Sequence, residues 1–363
     1  MKRKAAIVGI VGTAKNTGKT STVILLMERA YDEGISIGLT GIGYDGEEID
    51  NITLLPKPRY TVRYGTLIAT SEMCLSIGSA VIEILAKTGC RTPLGEVTIG
   101  RVKKAGTIVV AGPNKGEDLN LVIKKLKNLG AELLLVDGSI NRIAPMIAVD
   151  ALILAAGAAQ EVQIDRLAQE VKCISEVFNL SVINHKSAIY TKNSKITVSR
   201  KGGGEKRFSF NSLLVPSVID EIIKEIDDET ALILIPGVVE AHTFLEFVRR
   251  LGEKVRGKTI LFSDPTKLLI SGNFDIVAKS LIEIRNLGGK VGYLRRLPLI
   301  AITINPFYPR YSELYQDYEA AYVDKDELVL KLSDVTHIPV IDGLSHDGNK
   351  LLWTITYSTL FDV

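Results

Sequence analysis

The chain has 363 residues, of which 46% are hydrophobic and 24% charged, with a formal net charge of +2 at pH 7. This length exceeds one compact core, so it indicates two domains or one large α/β sheet. The small net charge gives no argument for attraction to nucleic acid, and no nucleic-acid partner is expected. The three cysteines (Cys74, Cys90 and Cys173) have no ligand-like spacing, which disfavours a disulfide framework or a zinc site and fits a reducing compartment.

The first apolar stretch predicts a buried strand rather than a targeting segment. Basic residues 2–4 precede it, as they would in a signal peptide, but residues 5–11 are few and contain Gly9. A second apolar stretch, residues 144–159, is too short to cross a bilayer and contains Asp150. We therefore expect a cytoplasmic protein with no membrane partner.

A phosphate-binding loop follows this strand. Residues 12–20 read Gly-Thr-Ala-Lys-Asn-Thr-Gly-Lys-Thr and precede apolar residues at helical spacing that end at Gly34. In the usual Walker A pattern the first glycine would stand at position 13, so Gly12 comes one residue early. The strand before the loop and the helix after it support phosphate binding. The alternative is a glycine turn that holds no phosphate.

The loop predicts binding of a nucleoside triphosphate. Backbone N–H groups and the positive end of the helix dipole would surround the phosphates. Lys19 would reach the β and γ phosphates as a catalytic residue, and the Thr20 hydroxyl would bind Mg²⁺. Lys15 either adds a charge contact to phosphate oxygens or is solvated. The predicted nucleotide-binding residues are Thr13, Ala14, Lys15, Asn16, Thr17, Gly18, Lys19, Thr20 and Ser21.

Strands and helices alternate after the loop. The apolar patterns predict strands at 35–39, 97–101, 107–111, 133–137 and 151–155, helices at 71–88, 119–129 and 164–178, and an irregular segment at 51–65. Continuous apolar runs indicate strands that are buried on both faces. The pattern predicts an α/β fold with a doubly wound, mostly parallel sheet and a second α/β region.

The composition changes around residues 180–215, where polar strand candidates flank a glycine-rich turn at 201–204. We therefore predict a nucleotide-binding domain at residues 1–180, a hairpin or linker at 181–215, and a second α/β region at 216–363. The alternation of strands and helices resumes in this last region.

Two aspartates extend the predicted site. Asp137 ends an apolar strand, where ligands bind in open α/β sheets, so we expect it to bind Mg²⁺ directly or through water. The alternative is a turn aspartate. Asp45 follows the second strand in a glycine-flanked loop, where it would bind Mg²⁺ or act as a catalytic residue that positions an attacking water. A surface turn explains Asp45 equally well.

These motifs carry a resemblance to a known group of proteins. The phosphate loop, Asp45 and the Leu-Leu-Val-Asp-Gly strand resemble the dethiobiotin synthetase and MinD-like branch of phosphate-loop NTPases over about residues 1–160. The resemblance implies a mostly parallel sheet, binding of Mg²⁺ and nucleotide, and often a homodimer with the nucleotide near its interface. The branch's bridging lysine would fall at Ala14, so the chain departs from the branch there.

A narrower resemblance covers short segments along most of the chain. Residues 110–113, 136–142, 155–158, 302–306 and 338–342 are similar to the nucleotide-binding subunit of the lysine 5,6-aminomutase reactivase. That family is implied to couple ATP binding or hydrolysis to the restoration of a cobalamin-dependent aminomutase whose cofactor has been inactivated. The implied partners are a second reactivase subunit and the aminomutase.

Three functions remain open from the sequence. The first is a Mg²⁺-dependent ATP hydrolase that acts on a protein partner, which the length of the chain beyond the nucleotide domain favours. The second is a small-molecule ligase or kinase resembling dethiobiotin synthetase, and the third is a nucleotide-binding regulatory protein with little turnover. Residues 114–117 imitate a guanine-reading motif but precede the Asp137 strand and end in Glu. ATP is therefore the expected nucleotide, although GTP stays open.

Overall fold

The structure is a computed structural model that describes residues 5–44, 60–184, 194–313 and 316–360. The chain folds into two compact units. The first contains Met1–Gln169 together with Pro298–Val363, and the second contains Glu170–Leu297. This division differs from the predicted one, in which residues 216–363 formed a single second region.

The first unit contains a nine-stranded sheet. In spatial order its strands are β20 (Val340–Ile341), β17 (Leu299–Asn305), β11 (Ala151–Gly157), β1 (Ala6–Gly12), β10 (Leu133–Ser139), β2 (Ile37–Gly41), β5 (Leu67–Ser71), β7 (Gly95–Lys104) and β6 (Val81–Thr92). Six of the eight neighbouring pairs are parallel, and β5–β7 and β7–β6 are antiparallel. The predicted α/β class with a mostly parallel sheet is confirmed. Because β17 pairs with β11, the chain returns to the first unit at residue 298.

Helices cover both faces of this sheet. They are α1 (Lys19–Asp32), α2 (Gly116–Asn128), α8 (Lys325–Asp334) and α9 (His346–Leu360), while α3 (Ile164–Phe178) contains the boundary between the units. On β2, Ile37 and Leu39 belong to the core that includes the apolar residues of α1. Gly38, which faces the opposite side, lies against Leu126 of α2. This arrangement explains why the central strands are uninterrupted apolar runs.

Three short antiparallel pairs accompany the large sheet. They are β3 (Gly43–Tyr44) with β9 (Ala111–Gly112), β4 (Tyr60–Val62) with β8 (Gly106–Ile108), and β18 (Phe307–Ser312) with β19 (Asp317–Tyr322). Short 3-10 helices occupy Glu72–Cys74, Ile140–Arg142, Ala144–Ala148 and Gly252–Val255. Of these pairs, β4 brings Tyr60 to the edge of the predicted site.

The predicted helix at residues 71–88 is wrong. Its first residue is the last residue of β5, a 3-10 helix follows at Glu72–Cys74, and its final residues belong to β6, which pairs with β7. Gly78 has a φ of 112°, which no helix accommodates, and a Cβ there would overlap the backbone of Thr107. The second half of the segment is extended because it pairs with β7, a strand that comes later in the chain.

The second unit contains a five-stranded sheet. Its spatial order is β13 (Glu205–Arg207), β12 (Thr197–Arg200), β14 (Thr230–Ile235), β15 (Thr259–Phe262) and β16 (Lys290–Tyr293). Its helices, besides most of α3, are α4 (Ser217–Lys224), α5 (Ala241–Leu251), α6 (Thr266–Leu269) and α7 (Phe274–Asn286). β14, β15 and β16 are parallel, whereas β12 is antiparallel to β13 and β14.

Candidate nucleotide-binding site

The predicted phosphate loop joins the end of β1 to the start of α1. Two of its residues have left-handed backbone conformations, Asn16 with φ 61° and Gly18 with φ 96°. Glycine adopts this conformation without strain, and asparagine tolerates it better than most residues. The Thr17 hydroxyl donates to the carbonyl of Ala14 over 3.1 Å. The loop is therefore a tight, internally bonded turn of the kind that exposes backbone N–H groups.

Gly12 makes room for the side chain of Lys19. A Cβ at position 12 would lie 2.6 Å from both Cγ and Cδ of Lys19 and 2.6 Å from the Thr17 hydroxyl oxygen. The lysine stem therefore folds back over the end of β1, and Lys19 is only 8% exposed. The displaced glycine of the sequence motif has this steric role.

The start of α1 has no side-chain cap. Gly18 occupies the cap position without a side chain, and the first turn contains no acidic residue. The N–H and the hydroxyl of Thr22 both donate to the carbonyl of Gly18 over 3.0 Å. The earlier N–H groups of a helix have no partner within it, and with the helix dipole they attract an anion. This helix start is suited to bind phosphate.

A cleft of about 160 Å³ opens beside the loop. Its lining residues are Thr13, Ala14, Lys15, Lys19, Gly41, Ile42, Gly43, Val110, Asp137, Gly138, Ser139, Asn141 and Arg142. Among these, Lys15, Lys19 and Arg142 are cationic and Asp137 is acidic. The excess of positive charge favours an anionic ligand, and the carboxylate beside it favours one that brings a cation.

Asp137 lies on β10, next to the strand that precedes the loop. It pairs with Ile10 of β1 and Gly41 of β2, and it is 8% exposed. The hydroxyl of Tyr60 donates to its Oδ2 over 2.5 Å. The carboxylate is thus held in a fixed orientation by a side chain from β4.

The predicted site residues divide into two groups. Thr13, Ala14, Lys15, Lys19 and Asp137 all line the cleft. Asn16, Thr17, Gly18, Thr20 and Ser21 lie in the loop or the first turn of α1 but are not among its lining residues, and Gly18 and Ser21 border a smaller cavity beside Asn305. Asp45 lies outside the described residues.

The oxygen donors at the site suit magnesium. Mg²⁺ prefers carboxylate, hydroxyl and phosphate oxygens and keeps several waters, so it needs few protein ligands. Asp137 offers a carboxylate in the cleft, and Thr20 offers a hydroxyl in the first turn of α1. The described residues contain no cluster of three or more His, Cys, Asp or Glu that could hold a metal.

Sequence reasoning missed three residues at the site. Tyr60, Arg142 and Asn305 reach it from segments that are distant in sequence, and Tyr60 fell in a segment that was expected to be irregular. Asn305 had a detectable signal, because a polar residue ends an apolar strand there just as Asp137 does. Arg142 had a weaker signal, as a cation shortly after the Asp137 strand.

Comparisons with known proteins add little to this geometry. No protein-family model and no curated protein matches the chain. Among solved structures, it is similar to the signal recognition particle receptor FtsY from Elizabethkingia anophelis at 8% identity and a TM-score of 0.24, over 91% of this chain and 65% of that one. It is also similar to pNOB8 ParA bound to nonspecific DNA at 11% identity and a TM-score of 0.26, over 78% of this chain and 99% of that one. The chain thus spans less than two thirds of the FtsY chain. Because both TM-scores are this low, the interpretation of the site depends only on the geometry described above.

None of the helices in the described parts of the chain combines the length and the apolar character needed to span a membrane.

Proposed function

We propose that the chain binds a Mg²⁺–nucleoside triphosphate, with ATP as the expected nucleotide, and hydrolyses it while acting on a protein partner. One observation carries the proposal. The Lys19 side chain folds back over Gly12 beside an uncapped helix start, and both Lys19 and Asp137 line one cationic cleft. A chain that needed only a turn between β1 and α1 would gain nothing by burying a lysine there.

Each residue has a role in this proposal. The backbone N–H groups from Thr13 to Gly18 and the first turn of α1 would hold the phosphate oxygens. Lys19 would neutralise charge on the β and γ phosphates, with Lys15 and Arg142 adding positive potential at the cleft. Thr20 and Asp137 would hold Mg²⁺, which neutralises the charge that develops during phosphoryl transfer. Asp45 stays a proposed metal ligand or catalytic residue.

The resemblance to the aminomutase reactivase supports the nucleotide part of this function most directly. Three of its five segments contribute to the site or contact the loop. Segment 136–142 includes Asp137 and Arg142, which line the cleft, and 302–306 includes Asn305, which donates a hydrogen bond to the loop. The carbonyl of Ala155 in a third segment accepts from the N–H of Thr13 over 3.3 Å. The proposed partners, a second reactivase subunit and a cobalamin-dependent aminomutase, rest on the resemblance alone, as does a homodimer.

Calorimetric titration with ATP and GTP, each with and without Mg²⁺, tests the proposal. We expect Mg²⁺-dependent binding by the wild type and a loss of about 100-fold or more in Lys19→Ala, because charge-assisted bonds to phosphate are strong. Lys124→Ala removes an exposed lysine from α2 and is the matched control. Wild-type affinity in Lys19→Ala, with an unchanged unfolding temperature, contradicts the proposal.

The rate of phosphate release from the nucleotide then distinguishes the three candidate functions. Stimulation of release by the aminomutase would support action on a protein partner. Release that requires a small acid or amine would replace this proposal with a ligase or kinase resembling dethiobiotin synthetase. Nucleotide binding that changes partner affinity without turnover would replace it with a regulatory protein.

A further inference from the structure

Asn305, the last residue of β17, makes three hydrogen bonds beside the phosphate loop. Its Nδ2 donates to the carbonyl of Asn16 over 2.7 Å, and its Oδ1 accepts from the N–H of Phe307 over 3.2 Å. Its own carbonyl accepts from the N–H of Ala158 over 2.9 Å. These bonds fix the side-chain amide with its nitrogen toward the loop.

The contact falls on the two left-handed residues of the loop. Asn16, with φ 61°, receives the hydrogen bond. Gly18, with φ 96°, packs against the same side chain, since a Cβ there would lie 3.1 Å from Cβ of Asn305. Left-handed residues with side chains are uncommon and need support from their surroundings, and Asn305 supplies support at both positions.

The bond to Asn16 also determines where a phosphate donor points. In a planar trans peptide, the C=O and the following N–H point in opposite directions. Because the carbonyl of Asn16 is turned toward Asn305, the N–H of Thr17 is directed away from β17. That N–H is one of the donors expected to bind phosphate.

We propose that Asn305 is a positioning residue for the phosphate loop, an inference that rests on the nucleotide-binding function proposed above. It acts through the Asn16–Thr17 peptide and touches neither the nucleoside nor the phosphates. Without its N–H donor this peptide loses the bond that turns its carbonyl toward β17, and a rotated peptide would present a carbonyl oxygen to the phosphates in place of an N–H.

The variant Asn305→Asp isolates this role. It keeps the size of the side chain and the acceptor for Phe307, but it places a carboxylate oxygen against the carbonyl of Asn16. At about pH 8 the carboxylate is ionised and has no hydrogen to donate, so the two facing oxygens repel each other. Asn128→Asp makes the same chemical change at an exposed position on α2 and is the control.

The probes are Mg²⁺–ATP and Mg²⁺–tripolyphosphate, which has phosphates but no nucleoside. At about pH 8 we expect Asn305→Asp to weaken both by about tenfold, because one hydrogen bond that orders the loop is lost. Asn128→Asp should bind both probes as the wild type does, and the unfolding temperature of Asn305→Asp should change little, because the lost bond orders the loop and not the core. Asn305→Ala, which adds no charge, should also weaken the binding of both probes, and it serves if the aspartate variant does not fold.

Three results would overturn the inference. Weaker ATP binding with unchanged tripolyphosphate binding would place Asn305 against the nucleoside instead. Unchanged affinity for both probes would remove any role at the site, and a loss of affinity that accompanies an equally large loss of thermal stability would point to general loosening of the fold. Failure of the wild type to bind either probe is distinct, because it overturns the proposed function itself.

Discussion

Two strand–loop–helix junctions in this molecule share a topology but differ in chemistry at the helix start. In the first unit, β1 leads through the phosphate loop to α1, which has no side-chain cap. In the second unit, β14 leads through residues 236–240 to α5. There Glu240 accepts from the N–H of His242 over 3.0 Å and from the N–H of Thr243 over 2.7 Å. The second junction already holds an anion, the protein's own carboxylate.

The glycines of the two junctions also serve different purposes. Gly12 leaves space for the stem of Lys19, whereas Gly237 leaves space for the Ser212 hydroxyl and the backbone of Asn211. The N–H of Gly237 donates to the carbonyl of Asn211 over 2.7 Å, so it is not available to a ligand. The first turn thus combines an uncapped helix start with a buried lysine, as the proposed phosphate site requires, whereas a carboxylate caps the helix after the second turn.

The largest expected effect that sharpens this comparison is that of Gly12→Ala. The added methyl would lie 2.6 Å from the Lys19 stem and the Thr17 hydroxyl, so the lysine must leave its position. We expect Mg²⁺–ATP affinity to fall about 100-fold, or about 2.7 kcal/mol. The unfolding temperature should change less than it does in Gly237→Ala. Calorimetry and thermal unfolding measure both quantities. Full affinity in this variant would show that the folded lysine is not needed for binding.

Gly237→Ala should show the opposite pattern. Its methyl would lie 2.5 Å from the carbonyl oxygen of Asn211, and this backbone atom cannot move aside as a flexible side chain does. We expect a loss of about 2 kcal/mol in the free energy of unfolding, as for other overpacked sites, with nucleotide affinity unchanged. Denaturant unfolding together with calorimetry tests this. A large loss of ATP affinity would contradict the comparison, because it would show that the second junction also contributes to nucleotide binding.

The smallest effect is expected for Glu240→Gln. Burial raises the pKa of Glu240, but hydrogen bonds from Thr243 and His242 outweigh it, so the pKa lies below its ordinary value. A lowered folded-state pKa means that the carboxylate stabilises the fold above the unfolded-state pKa of about 4.3, and this contribution is lost as the pH falls through the folded value. We expect Glu240→Gln to cost about 1 kcal/mol at about pH 7.

Denaturant unfolding over a range of pH checks this prediction. The difference between wild type and Glu240→Gln should shrink as the solution is acidified, because the wild type then loses its charged cap. A difference that stays constant with pH would show that the carboxylate charge does not stabilise α5.

The parts of the fold that could be predicted from the sequence are those with local causes. The strand before the phosphate loop, the Asp137 strand and α3 follow from continuous apolar runs or helical periodicity within the segment. The segment 71–88 failed because its structure depends on pairing with β7, which local periodicity does not report.

In the site, too, the residues that could be predicted are those with a local sequence motif. The loop and Asp137 carry local motifs, and the structure brings Lys19 and Asp137 to one cleft. Tyr60 and Asn305 could not be placed, because each meets its partner only through the order of strands, over 77 residues in one case and 289 in the other. The boundary of the units was missed for the same reason, since β17 returns to the first sheet after the second unit.

The late position of Asn305 has a consequence during synthesis. Asn305 is added to the growing chain 289 residues after Asn16 of the phosphate loop. At 5–20 residues per second, that interval is roughly 15–60 s. Throughout it, the nascent loop lacks the strand that supports its left-handed turn, while the whole second unit is made and free to fold. The nucleotide capture proposed above should therefore begin only after the second unit has been made.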